Sequence, residues 1–275
     1  MNSIICNLCP HHCALREGET GRCHGRKNEK GTNKCANYGM VSSIALDPIE
    51  KKPLNMFFSG SRILSVGSCG CNMSCPFCQN SSISMRSCGS DCVYIPPDEL
   101  AEKAFELGES GNIGVAFTYN EPLIGYEYML DCAALLHSRG MKAVAVTNGC
   151  FTDVVADAVL PHIDAYNIDL KGFTEKFYKM AGGDLETVKA FIARAAEAAH
   201  VELTTLIIPG LNDTPDEMER LSGWIASVSP DIPLHISRFF PRYNMTDRPP
   251  TDVELIYSLK NTAGKRLKYV YTGNC

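Results

Sequence analysis

The chain has 275 residues, 45% of them hydrophobic and 21% charged, with a formal net charge of −5. That is the composition of an ordinary globular protein with enough apolar residues for a substantial core. No run of lysine and arginine marks a nucleic-acid partner, and no stretch approaches the ~20 apolar residues of a membrane span. The opening MNSIICNLCPHHC lacks a basic region followed by an apolar one, so no signal peptide is expected and the expected location is cytoplasmic. Cysteine usage stands out. Of 14 cysteines, all but Cys132, Cys150 and Cys275 lie within residues 1–92. In a reducing compartment such thiols point to metal or cluster ligation rather than disulfides, although Cys132 follows helical spacing and reads as a small buried hydrophobe.

Residues 1–60 are rich in cysteine, glycine and lysine with weak periodicity, the pattern of a loop-rich segment ordered by ligands. Within it Cys6, Cys9, Cys13 and Cys23 are separated by two, three and nine residues, with His11, His12 and His24 interleaved. Four thiolates at that spacing suit tetrahedral zinc or a second iron–sulfur cluster, and the spacing does not choose between them.

Over residues 61–275 the pattern changes. β-Rich runs at 63–66, 113–118, 142–147, 164–169, 202–208, 234–237 and 267–272 alternate with helical stretches. Leu185, Val188, Ile192, Ala195 and Ala199 make one apolar helix face; Met218, Leu221, Ile225 and Val228 make another. Thr214, Pro215 and Glu217 are spaced as a helix start, and Thr251 with Glu254 repeats the capping-box spacing. Alternating strands and helices imply a parallel sheet with right-handed crossovers. Six or seven strands fall short of a closed eight-strand barrel. The expected fold class is therefore α/β, a partial (β/α)6 barrel over 61–275 preceded by the cysteine-rich segment.

The first of these strands runs into Gly67-Ser-Cys-Gly-Cys71-Asn-Met-Ser-Cys75-Pro-Phe-Cys78-Gln-Asn80. Cys71, Cys75 and Cys78 thus sit in a loop at the carboxyl end of a strand, where barrels place their chemistry. Protein-bound iron–sulfur clusters usually take four thiolates. Three leave one iron open, much as a catalytic zinc keeps a position for substrate. A zinc knuckle would need a fourth ligand in register; Cys69 is close but is expected to point away from Cys71 if the chain stays extended there. Cys88 and Cys92 carry no assignment. Polar residues follow the later strands: Asn120 and Glu121, Thr147 and Asn148, Asp169 and Lys171, with His235 in the sixth. Carboxyl ends of parallel strands open on one face, so these side chains are expected to converge.

The three-cysteine loop, with Phe77 before its last cysteine, resembles the radical S-adenosylmethionine (SAM) signature. Asp47-Pro-Ile-Glu-Lys-Lys-Pro53, Gly70-Cys71-Asn72, Cys78-Gln-Asn80, Thr118-Tyr-Asn-Glu-Pro122, Thr147-Asn-Gly149, Asp169-Leu-Lys171 and Ile208-Pro-Gly-Leu-Asn-Asp213 extend the likeness over nearly the whole chain. Together they resemble the AmmeMemoRadiSam system radical SAM enzyme, a relative of pyruvate formate-lyase activating enzymes. The resemblance implies an oxidoreductase working under anaerobic conditions, with a 4Fe–4S cluster on Cys71, Cys75 and Cys78. Reductive cleavage of SAM would give a 5′-deoxyadenosyl radical for hydrogen abstraction, fed by a flavodoxin- or ferredoxin-like electron donor. It further implies that Phe77, Asn120, Glu121, Asn148 and His235 contact the cofactors. Asn120 and Glu121 stand where the family usually has Gly-Gly-Glu, which holds the amino group of SAM, and His235 lies near the adenosyl group. Asp169 and Lys171 match the Asp-x-Lys of glycyl-radical activases and are the expected catalytic pair. An arginine common on the fifth strand is missing here, which leaves the SAM carboxylate to Thr204 or to backbone. The implied partner is a Memo-type protein. The alternatives are an activase that installs a glycyl radical on a partner enzyme and, from another class, an electron-transfer or zinc-binding module without turnover.

Overall fold

The computed structural model of the chain describes residues 3–275. Ile4–Ile5 (β1) and Ala14–Leu15 (β2) pair antiparallel, as do Arg26–Glu29 (β3) and Thr32–Cys35 (β4), so the cysteine-rich segment carries two small ribbons. Met40–Val41 (β5) is followed by Ser43–Pro48 (β6), which runs antiparallel to Arg62–Gly67 (β7). A short helix, Ser81–Ser84 (α1), and Val93–Tyr94 (β8), paired with β5, come next. The remainder alternates: Pro97–Glu106 (α2), Asn112–Phe117 (β9), Tyr126–Ser138 (α3), Lys142–Thr147 (β10), Asp153–Val159 (α4) and Ala165–Asp169 (β11). Glu175–Ala181 (α5), Leu185–Ala198 (α6), His200–Ile207 (β12), Pro215–Val228 (α7), Leu234–Arg238 (β13), Val253–Ala263 (α8) and Val270–Gly273 (β14) complete it.

The main sheet has the order β14-β13-β12-β11-β10-β9-β7-β6. Seven strands are parallel and follow chain order, and β6 is the antiparallel edge. The expected α/β architecture with an open, mostly parallel sheet is what forms. β6, however, arises inside the segment read as loop, so residues 1–60 contribute to the same sheet as the rest.

The sheet curls, and chain length explains why. Glu202 of β12 accepts hydrogen bonds from the backbone N–H groups of Asn55 and Met56, only a few residues after β6 ends. In a flat sheet β6 and β12 would be about 24 Å apart. The seven-residue path from Pro48 to Asn55 includes a 3-10 turn at Ile49–Lys51 and reaches only about 20 Å. The sheet must bend around this path, which runs across its inner face. There Ile49 and Leu54 pack on Ile63, Ala116, Val144 and Ala165. Strand alternation and register then place Asn167, Asp169, Glu202, Thr204 and His235 on that same inner face. The opposite face carries Leu64, Val66, Val115, Phe117, Ala145 and Ile168, which pack under the helices.

Helix ends follow local chemistry. Thr214 caps α7, its hydroxyl accepting from the Glu217 N–H at 3.2 Å, with Pro215 in the first turn. At α8 the expected capping box does not form. Asp252 is the cap, accepting from Glu254 N–H at 3.1 Å. Thr251 is fully buried and its hydroxyl instead joins the ends of β12 and β13, donating to Ile207 O and accepting from Phe239 N.

The cysteine-rich segment packs into the main core through Leu8, Leu15 and Val41. Arg26, 3% exposed, pairs with Glu127 at 2.8 Å and donates to Ile124 O, tying the β3–β4 ribbon to α3. Gly70 has φ +90°, and a Cβ there would lie 2.3 Å from the Cys23 carbonyl oxygen. Only glycine allows that approach. Gly70→Ala is therefore expected to cost more than about 2 kcal/mol, combining left-handed strain with the clash; denaturant unfolding of the variant against wild type measures it.

Candidate active site

The cysteine loop is shaped by what surrounds it. Gly67 ends β7 against the Tyr119 ring, where a Cβ would lie 2.8 Å from the ring carbon. An unbroken extended chain would put Cys69 and Cys71 on the same side, but the left-handed Gly70 between them turns Cys71 away. Farther along, Ser74 N–H donates to Ala181 O at the end of α5, and Cys78 N–H turns back to Cys75 O. Phe77 is buried beside Phe177, with ring centroids 5.9 Å apart. Asn80 donates to Tyr119 O at 2.7 Å. Cys75 is buried, and Cys71 and Cys78 are half-buried.

Asn120, beyond β9, spends its whole carboxamide on this loop. Its Nδ2 donates to Cys69 O and Gly70 O, at 3.1 and 3.2 Å, and its Oδ1 accepts from Ser68 N–H at 2.8 Å. Glu121 is buried, with Oε1 accepting from Leu123 N–H and the Thr147 hydroxyl and Oε2 from Asn148 N–H. Oε2 retains capacity for one more donor. Burial lifts the Glu121 pKa to about 7, against the pull of these donors and of Lys171. Asn148 donates to Asn72 Oδ1 at 2.8 Å and to Cys71 Sγ at 3.6 Å. The Asn72 carbonyl in turn contacts His11 Nε2 at 2.7 Å, linking the loop to the cysteine-rich segment.

Lys171 and Asp169 form a 2.7 Å ion pair beyond β11. Burial opposes the Lys171 charge, but Asp169, Cys75 and Cys71 together hold its pKa above the ordinary 10.5. Cys71, Cys75, Glu121, Asp169 and Lys171 thus lie within electrostatic range of one another at the carboxyl ends of the strands. Burial, then the charges of Glu121 and Cys75, pushes the Cys71 thiol well above its ordinary value. Burial carries Cys75 to about 11, with Lys171 pulling it down. A metal deprotonates such a thiol outright. The N–H groups of Met73, at 3.4 Å, and Asn148 both point at Cys71 Sγ, an arrangement that suits a ligated thiolate sulfur. The donor set fits an iron–sulfur cluster.

Cys6, Cys9, Cys13 and Cys23 line one cavity, together with Arg26 and Phe151. Burial raises the Cys9 pKa to about 11, and Cys23, Cys6 and Cys13 add to it, so these three thiols lie within electrostatic range of Cys9.

His235 lies apart from these groups. Its Nε2 meets Glu202 Oε2 at 2.6 Å, and its ring stacks on Tyr271 at 5.2 Å. Thr204 donates to Asn167 Oδ1. The contacts of Glu202, Asp47 and Lys52 on the inner face escaped sequence reasoning. Glu202, fully buried, gathers His200, His235 and two backbone N–H groups, while Asp47 binds Lys52 at 3.0 Å and the Tyr119 hydroxyl at 3.0 Å. Glu202 is one residue of an ordinary strand pattern, and its backbone donors lie nearly 150 positions away. Motif Asp47–Pro53 was visible, but not its ion pair.

Burial works against the Glu202 charge, yet His200, His235 and the Met56 and Asn55 N–H groups bring its pKa from 4.5 to about 2. A folded-state pKa below the unfolded one stabilises the protein above pH 4.5, and that contribution fades as pH falls toward 2. Glu202→Gln is expected to cost about 3 kcal/mol at neutral pH and to flatten the loss of stability between pH 5 and 3. Urea midpoints across that range for both proteins check it.

Residues 65–225 match the radical SAM superfamily, a family that uses SAM and an iron–sulfur cluster. The chain is 38% identical over 283 residues to an uncharacterized protein of Methanocaldococcus jannaschii, spanning 99% of this chain and 82% of that one. It is 24% identical over 165 residues to the pyruvate formate-lyase-activating enzyme of Clostridium pasteurianum, covering 58% of this chain and 67% of the enzyme. The crystal structure of SuiB from Streptococcus suis superposes with a TM-score of 0.60 at 12% identity, over 77% of this chain and 48% of SuiB. The SuiB structure bound to SAM gives 0.58, also at 12% identity, over 74% of this chain and 48% of that one. At such identity the likeness is one of fold. The matched span holds the three-cysteine loop and the strand ends that converge on it, and by that match the chain belongs to the radical SAM superfamily.

Proposed function

We propose that this protein is an AmmeMemoRadiSam-type radical SAM enzyme holding a 4Fe–4S cluster on Cys71, Cys75 and Cys78. One observation carries the reading: a protonated Lys171, its Asp169 partner and buried Glu121 converge on two of those cysteines. When bound, the reduced cluster supplies the electron that splits SAM into methionine and a 5′-deoxyadenosyl radical.

The chain's own groups do the holding. Lys171 sets a positive charge beside the thiolates, and Asp169 orients it. Glu121 Oε2, with one accepting position left, receives the amino group of SAM. Asn148 donates to the Cys71 sulfur and fixes the loop through Asn72. Asn120 braces the loop, with Nδ2 donating to Cys69 O and Gly70 O and Oδ1 accepting from Ser68 N–H. His235 contacts the adenosyl group, with its ring set by Glu202 and Tyr271. The segment crossing the inner face keeps water from the reaction space. The cavity among Cys6, Cys9, Cys13 and Cys23 takes a second iron–sulfur cluster. A flavodoxin- or ferredoxin-like protein supplies electrons, and a Memo-type protein is the partner.

Anaerobically reconstituted and reduced protein is expected to produce 5′-deoxyadenosine, with deuterium passing into it from the labelled substrate. Replacing Cys71, Cys75 and Cys78 together by Ala is expected to abolish cleavage while leaving iron on the N-terminal cysteines. Cleavage by that variant would overturn the reading, and a variant without iron that loses zinc when Cys6 and Cys9 are also replaced would change the second site to zinc.

Asn120→Ala and Glu121→Ala are expected to separate. The first lowers iron retention. The second keeps iron but weakens SAM binding at least tenfold, about 1.4 kcal/mol, as equilibrium dialysis would measure.

A further inference from the structure

We infer that Cys69, Cys88 and Cys92 form a site for a single zinc ion, distinct from both cysteine sets above. Their sulfur atoms all lie within 4.8 Å of one another, and those of Cys69 and Cys92 are 3.5 Å apart. Among the described residues this is the one group of three or more potential ligands drawn together so closely. Zinc–thiolate bonds of about 2.3 Å place tetrahedral ligands about 3.8 Å apart, so one ion reaches all three with small adjustments. An iron–sulfur cube spreads its thiolates wider than this.

The ligands come from two stretches of chain. Cys69 immediately precedes the Gly70 turn, while Cys88 and Cys92 lie in the link between α1 and β8, where Cys92 N–H turns back to Gly89 O at 3.1 Å. Cys69 and Cys92 are buried and Cys88 is half-buried. The Ser68 hydroxyl lies 3.5 Å from Cys88 Sγ, and it or a water would complete the fourth coordination position. Three thiolates around a divalent ion leave one negative charge. Arg86 answers it from within electrostatic range of Cys69 and Cys92, while also pairing with Asp91.

Besides its cysteines, the link is tied by Arg86, which donates to Ser82 O, Ser87 O and Asp91. Ser87, Gly89, Ser90 and Asp91 are exposed, and so are Val93 and Tyr94 beyond them. The other end of the site is anchored, because the Cys69 carbonyl accepts from both Asn37 and Asn120. Zinc here would fasten the link to the base of the catalytic loop without entering the chemistry.

The test is zinc stoichiometry by elemental analysis in three proteins purified with zinc supplied. Wild type and the Cys6→Ser/Cys9→Ser variant are expected to hold one zinc per chain, and Cys88→Ser/Cys92→Ser none, with its iron content and SAM cleavage unchanged. Replacing zinc by cobalt should give a thiolate-to-cobalt charge-transfer band in wild type that the Cys88/Cys92 variant lacks. A measurement on wild type alone guards against misfolding of the variant. Chelation of the zinc should make Cys88 and Cys92 open to alkylation, as peptide mass spectrometry reads. Equal zinc in wild type and the Cys88/Cys92 variant, zinc lost only with Cys6 and Cys9, or a Cys69–Cys92 disulfide in the anaerobic wild type would each overturn the proposal. Failure of SAM cleavage in wild type would strike the catalytic reading and leave this one standing.

Discussion

The site depends on thiols buried where they do not ionise unaided. Cys71 and Cys75 sit in surroundings that push their pKa values up, next to a carboxylate that burial has also made reluctant to charge. A group of this kind is stable only with compensating positive charge and N–H donors close by. Lys171 brings the charge; Met73 and Asn148 bring the donors. The strand ends are therefore a prepared electrostatic environment for electron-rich sulfur, and the polar residues on different strands belong to one balance.

The inner face extends the same logic. A sheet curled around a crossing segment must satisfy that segment's backbone, and Glu202 does so for Asn55 and Met56 while Asn167 donates to Pro53 O. Near the other edge, Lys52 lies over the Tyr119 ring and binds Asp47. Tyr119 takes a left-handed backbone conformation to reach that position. Such strain in a bulky residue persists only when its surroundings hold it, and here its carbonyl, hydroxyl and ring are all engaged.

Much of this was legible in the sequence because it rests on local pattern. The parallel strands follow short apolar runs, and Thr214 caps its helix as its spacing implies. Long-range pairing was not legible. β6 escaped notice because an edge strand, half-exposed on both faces, shows no alternation of apolar and polar residues. The role of Asn120 was hidden because its position after a strand suggests a ligand contact, whereas its partners are carbonyls some fifty residues earlier. Thr251 misled for the same reason. Its spacing to Glu254 is that of a cap, but burial gave its hydroxyl nearer acceptors.

β6 also bears on where this chain could be divided. An edge strand with unpaired N–H and C=O groups is a template for another molecule's strand, and exposed edges invite aggregation. β6 covers β7 along its full length, with pairing from Ser43 opposite Gly67 to Pro48 opposite Arg62. The outward side of β6 ends in a proline, which cannot extend a ladder. A cut at residue 60 would strip that cover and bare the strand that leads into the catalytic loop. The cysteine-rich segment thus also covers β7, and removing it as an independent module would bare that strand.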